Sequence, residues 1–175
     1  MAARRHERSS ARRIALQVLY SAEIAEKMPS EIIAEGAVLD EDGAFSDYAR
    51  KLAEGVEAHV YEVDDCLVNA SENWALPRMP IVDRSLLRIA TYEMLYVDDV
   101  PLSVSINEAV ELAKEFGGED ESPRFVNGVL GRIAQYIEEE RGGKGGTEKF
   151  AGLVSETGEP ADEAVADGEG EDARA

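Results

Sequence analysis

The stretch SDYARKLAEGVEAHVYEVDDCL, residues 46–67, decides the fold. Its apolar positions Ala49, Leu52, Val56, Val60 (or His59), Val63 and Leu67 recur every three to four residues. That period lines one side of a helix and gives neither face of a strand a consistent character. Ser46 can cap the free N–H groups at the start, so the spacing predicts one long helix from Ser46 to Leu67.

The same period continues in both directions. Upstream, Ser9 or Ser10 is the expected cap of a helix running to about Lys27, with Ile14, Val18 and Ala22 four apart and Ala11, Ala15 and Leu19 beside them. Arg5, Arg8 and Arg12 would share one side if that helix extended upstream. Pro29-Ser30 breaks the chain before a shorter helical piece from Glu31 to Leu39, and the acidic loop Asp40-Glu41-Asp42-Gly43 follows. Downstream, Pro77 and Pro80 bracket a turn after Trp74, and Leu86, Leu87, Ala90, Met94 and Leu95 predict a helix from Ile81 to Tyr96 that Pro101 closes. Ser105-Ile106-Asn107-Glu108 has capping-box spacing. Gly117 suits the left-handed position after a helix. Ser122-Pro123 supplies a cap and a first-turn proline for a last helix through Val126, Val129, Leu130, Ile133 and Ile137. The expectation is an all-α bundle of roughly six to seven helices with short links.

A chain of 175 residues, 44% of them hydrophobic, suffices for one domain with its own core. No run reaches the length of a bilayer span, and the start Met1-Ala2-Ala3-Arg4-Arg5 is polar where a secretory signal would be apolar, so a cytoplasmic, non-membrane protein is expected. The single Cys66 has no partner for an intrachain disulfide and reads as a packing thiol. The formal net charge of -19 would by itself disfavour a nucleic-acid partner. The sum hides a segregation, however. Residues 1–13 hold Arg4, Arg5, Arg8, Arg12 and Arg13 against Glu7 alone, while residues 138–175 hold twelve acids against four bases. Screening over about 10 Å at 0.1 M salt makes the local patch count for more than the total. Composition shifts after Glu140 to a glycine- and acid-rich run too poor in large apolar residues to offset its ordering entropy. The chain thus divides into a basic arm, 1–8, a helical domain, 9–140, and an acidic tail, 141–175, expected to be disordered.

Catalytic chemistry finds little to work with. His6 lies in the basic arm and His59 on a helix edge, neither with cysteine or carboxylate neighbours at zinc-ligand spacing. Consecutive pairs such as Asp64-Asp65 and Asp98-Asp99 point about 100° apart on a helix and do not converge on one ligand. The run Gly142-Gly143-Lys144-Gly145-Gly146 lacks P-loop spacing and the strand that should precede it. The reading is a non-enzymatic binding protein with no cofactor and no metal.

Four segments in order resemble the NusB family: the arginine-rich start with Ala15-Leu16-Gln17-Val18-Leu19-Tyr20-Ser21; Asp83-Arg84-Ser85-Leu86-Leu87-Arg88-Ile89-Ala90-Thr91-Tyr92-Glu93; Asp99-Val100-Pro101 with Ser105-Ile106-Asn107-Glu108-Ala109-Val110-Glu111-Leu112-Ala113-Lys114; and Phe116-Gly117 with Arg124-Phe125-Val126-Asn127-Gly128-Val129-Leu130. The resemblance implies a fold of two packed helical halves and a transcription antitermination factor. Such a factor binds boxA, a single-stranded RNA element of leader or ribosomal RNA transcripts, with the small-subunit ribosomal protein NusE, and the assembly acts on RNA polymerase. It implies phosphate contacts by Arg8 and Arg12, supported by Arg4, Arg5 and Arg13, and further RNA contacts around Lys114, Phe116, Arg124, Phe125 and Asn127. Tyr20 reads equally as core or contact, and Phe125 either stacks a base or staples the last helix. Asp120 matches a position that tunes affinity by repelling phosphate. Asp83 matches an acidic position facing NusE, with Arg84 and Arg88 as rim charges. The turn 119–124 is one residue longer and more acidic than the family's usual spacing. Homodimerisation stays open. Two rivals remain: a helical protein-interaction module without RNA activity, and the NusB-like domain that fronts certain ribosomal RNA methyltransferases, here without a catalytic domain.

Overall fold

In a computed structural model, which describes residues 2–36, 38, 45–72, 74–118 and 121–142 and the side chains from Arg5 onward, every regular element is helical. The order is α1 (Ala2–Ala25), α2 (Pro29–Ala34), α3 (Asp47–Ala58), α4 (Val60–Ala70), a 3-10 turn (Leu76–Arg78), α5 (Ile81–Tyr96), α6 (Leu102–Phe116) and α7 (Glu121–Gly142). Helices α1 to α3 pack on one another, α4 to α7 on one another, and α5 touches α1, α3, α4, α6 and α7, joining the two halves. That position explains why α5 is buried almost all round, from Asp83 to Met94 with Arg88 the exception. Leu86 and Leu87 of α5 share one buried core with Leu52, Leu67 and Leu130, and each such side chain contributes about 1.5–3 kcal/mol by leaving water. Among the described residues, no helix is long and apolar enough to cross a membrane.

Several local expectations need correction. Helix α1 starts at Ala2, not at Ser9 or Ser10, because the alanines and arginines ahead of the serines are good helix formers with no breaker among them. The residues read as a basic arm are thus the first turns of α1. The long helix over 46–67 is two helices. Ser46 does accept from the backbone N–H of Ala49, but the chain breaks at His59, whose φ of -120° and ψ of 25° are not helical. The apolar stripe survives the break, since α3 buries Ala49, Leu52 and Val56 against α1 and α5 while α4 buries Val63 and Leu67 against α5 and α7. His59 itself stacks on Tyr96 with ring centroids 4.2 Å apart.

Ser105 is not a cap. Pro101 precedes the first turn of α6, leaving Ser105 a turn inside and buried, its hydroxyl donating to Glu93. Gly117 is extended, with φ of -69° and ψ of 148°, not left-handed. It is small for a different reason, since a Cβ there would meet the Ala113 carbonyl at 2.3 Å and the Ser122 Cβ at 2.7 Å. Ser122 lies within the first turn of α7 and is buried. The α2 piece ends at Ala34, short of the expected Leu39, which lies with Asp40–Ala44 outside the described residues, as does the tail from 143. Cys66 is fully buried, and burial, with the nearby acids Asp65 and Glu62, pushes its thiol up to about 12.

Candidate nucleic-acid interface

Because α1 continues upstream, Arg5, Arg8 and Arg12 do share one side of it, yet they do different things. Arg12 is 4% exposed. Its Nε donates to both carboxylate oxygens of Glu93 at 3.0 and 3.1 Å, and Glu108 lies 3.4 Å from another guanidinium nitrogen. Glu93, fully buried, also accepts from the hydroxyls of Tyr48 and Ser105. Burial and the hydrogen bond to Glu93 both push the Tyr48 hydroxyl's pKa up. Arg12 therefore ties α1 to α5 and α6 inside the bundle, where a charge removed from water is tolerable only with a partner of this kind. The phosphate contact expected of Arg12 is corrected accordingly, since two carboxylates hold its charge out of reach of solvent.

Arg8 and Arg13 face outward. Arg8 donates to Asp99 at 2.5 Å while its guanidinium lies 4.8 Å from the centre of the Tyr48 ring. Arg13 makes a two-pronged pair with Glu115, one prong at 2.7 Å, and sits 5.2 Å from the Phe116 ring centre. The three arginines thus pair in turn with Asp99 just before α6, Glu108 in its middle and Glu115 in its last turn. The hydrogen bond from Arg8 holds the Asp99 carboxyl below its ordinary range, and Arg13 does the same to Glu115. An open groove of about 570 Å³ runs between Arg5 and Arg8 on one side and Pro101 and Val104 on the other. Arg5 is exposed, and Arg4 lies on α1 with its side chain outside the described residues. Tyr20 is 42% exposed, which makes it surface, not core. It lies two turns beyond Arg13 on the same side of α1.

The remaining RNA candidates divide. Phe116 joins the arginine strip through Arg13, and exposed Lys114 on the same last turn of α6 pairs with Glu111 at 2.6 Å. Arg124 and Asn127 are exposed on α7, whereas half-buried Phe125 packs against Trp74 with ring centroids 5.6 Å apart. Asp120 lies outside the described residues. Of the partner-facing residues, Asp83 and Arg84 are both buried, 4% and 8% exposed, because α5 is enclosed there. Asp83 accepts from the Ser122 hydroxyl at 2.8 Å, and burial raises its pKa against the pull of that hydrogen bond. Arg84 donates to the carbonyls of Leu76 and Met79 and pairs with Glu23, its pKa lowered first by burial and then by Arg88. The NusE-facing position expected of Asp83 and the rim charge expected of Arg84 are thus corrected, since both side chains are enclosed. Arg88 alone stays partly open, in a two-pronged pair with Asp64 at 2.8 and 2.7 Å.

With this geometry in view, the sequence profile of the NusB family matches residues 9–135. The chain belongs to the NusB family. It is 46% identical over 132 residues to the transcription antitermination protein NusB of Salinispora arenicola, covering 74% of this chain and 96% of that one. With the NusB of Geobacter sulfurreducens it shares 44% over 130 residues, or 72% and 92% of the two chains. Among solved structures it resembles T. maritima NusB with a TM-score of 0.64 at 31% identity, over 82% of this chain and 95% of that one. It also resembles a chain from a crystal structure of the antitermination factors NusB and NusE in complex with dsRNA, with a TM-score of 0.62 at 25% identity over 74% and 97%.

Sequence reading of this NusB-family chain missed Tyr48, Glu93, Asp99 and Glu115 as parts of the arginine strip. Their pairs with α1 span 36 to 102 positions, so no local spacing could flag them, although Asp99 and Glu93 sit inside segments that carry the family likeness. Among the described residues, no three His, Cys, Asp or Glu side chains gather where a metal could bind.

Proposed function

We propose that this chain binds a boxA-type single-stranded RNA together with the ribosomal protein NusE, and that the assembly joins RNA polymerase to support processive transcription in the cytosol, with no reaction catalysed. The observation that carries the reading is the outward-facing set Arg5, Arg8 and Arg13 with Phe116, grouped on α1 and the end of α6 of a chain whose formal net charge is -19. Guanidinium groups grip phosphates in pairs of hydrogen bonds, and a half-exposed ring offers a face to an unpaired base. Tyr20 extends the same side of α1 and gives a second ring. Lys114, Arg124 and Asn127 supply the flanking polar contacts. A surface for NusE lies past Tyr20, where Ile24 in the last turn of α1 and Met28 just before α2, 60% and 51% exposed, flank Glu23 and the partly open Arg88. Such a mixture of apolar anchor and charged rim suits a protein partner.

The test uses the full chain with NusE and a boxA-type RNA. Arg8→Ala with Arg13→Ala is expected to weaken binding at least tenfold and to flatten its salt dependence, which on single strands runs at a log-log slope of about -0.7 per phosphate neutralised. Arg12 is unsuitable for this purpose, because its loss would disturb the bundle. Unchanged affinity of the double variant would overturn the reading. A duplex of the same sequence, titrated alongside, separates a preference for unpaired bases from one for RNA shape.

A further inference from the structure

Arg8, Arg12 and Arg13 each hold a carboxylate of their own chain, but the carboxylates differ in how freely they can leave. The Glu93 side chain is 1% exposed and accepts from three elements at once, so it stays with Arg12. The Asp99 side chain is 64% exposed and that of Glu115 48% exposed, each facing the strip from the edge of α6. A carboxylate shows a guanidinium the same pair of oxygens that a phosphate does. We infer that Asp99 and Glu115 stand in for two RNA phosphates, holding Arg8 and Arg13 ready in the free protein and giving way when the transcript arrives. This rests on the RNA-binding reading above and assigns its affinity to two residues of opposite charge to the strip.

Two physical consequences follow. Arg8, held by Asp99 over the Tyr48 ring, and Arg13, held by Glu115 beside Phe116, lose little side-chain freedom on binding because most is already lost. Against this, RNA must break an existing ion pair for each new one, so the gain per phosphate is a difference between two similar interactions. A ligand with phosphates at both positions displaces both carboxylates, while a lone anion gains little at either. The strip thus discriminates by polyvalency in a chain whose overall charge repels polyanions.

The experiment measures binding of a boxA-type RNA to the full chain with NusE by fluorescence anisotropy, each variant's thermal melt being recorded alongside. Asp99→Asn is expected to tighten binding about 2- to 5-fold, the range spanned by loss of an exposed ion pair, Glu115→Gln similarly, and the two together roughly multiplicatively. Asp98→Asn is the control for mere loss of negative charge next door, since that side chain is 96% exposed and pairs at 3.9 Å with Arg141, not with an arginine of α1. It should gain less than Asp99→Asn. In an Arg8→Ala background the benefit of Asp99→Asn should vanish, because no guanidinium remains to be released. Equal gains from Asp98→Asn and Asp99→Asn, or a gain that survives Arg8→Ala, would overturn the inference while leaving RNA binding intact. A wild-type chain that binds no RNA with NusE present would overturn both.

Discussion

Glu93 has three partners, yet no local spacing in the sequence marks its carboxylate as an internal one. Its carboxylate takes hydrogen bonds from Arg12, Tyr48 and Ser105, side chains of α1, α3 and α6. Glu93→Gln keeps the shape and removes the charge that Arg12 needs, and Glu108 at 3.4 Å replaces it only in part. Breaking a buried pair by removing one partner typically costs about 3–5 kcal/mol, so a loss of roughly 3 kcal/mol is expected in urea unfolding, and a loss below about 1 kcal/mol would show that Glu108 suffices. The same residues mark what sequence reading could and could not see. Five arginines near one end announced a basic patch, and three of the four with described side chains are partly or fully open to solvent. Arg8 and Arg12 look alike in a string of letters, however, and only the carboxylates opposite them make one a surface group and the other an internal tie.

At the level of the helix, periodicity and punctuation placed α5 at about its observed span, since Pro80 and Pro101 flank it and its apolar positions are dense. The break between α3 and α4 was invisible because the stripe keeps its period across His59, and a helical pattern cannot report that its two ends face different neighbours. Ser105 misled for a related reason, as a serine three before a glutamate reads the same whether it caps a helix or lies a turn inside one. One close approach escaped altogether. A Cβ built on Gly55 of α3 would fall 2.1 Å from the Tyr92 ring, which is itself buried in α5. The ring is packed against His59 and Tyr96, so Gly55→Ala should push the two helices apart. Overpacking of this kind costs about 1–3 kcal/mol, which outweighs the gain of roughly 1 kcal/mol that alanine brings to a helix interior. Thermal melting of Gly55→Ala should therefore show a net loss, and a stabilised variant would mean that the ring moves freely.

For the molecule as a whole, the all-helical class and the family were legible, because amphipathic spacing and four ordered segments survive without coordinates. The assignment of surfaces was only half legible, since Asp83 reads as facing a partner and Arg84 as a rim charge until α5 is found enclosed. That enclosure reaches beyond surface assignment. A helix flanked by five others has no outer layer to shed, so neither the portion before it nor the portion after it keeps a wall of its own once it is gone. Order should then disappear in one concerted transition, with helical signal and Trp74 fluorescence falling together during denaturation. Fragments cut between residues 72 and 74 should stay unstructured apart and regain helicity only when mixed; a fragment folded alone would show that the protein is divisible after all.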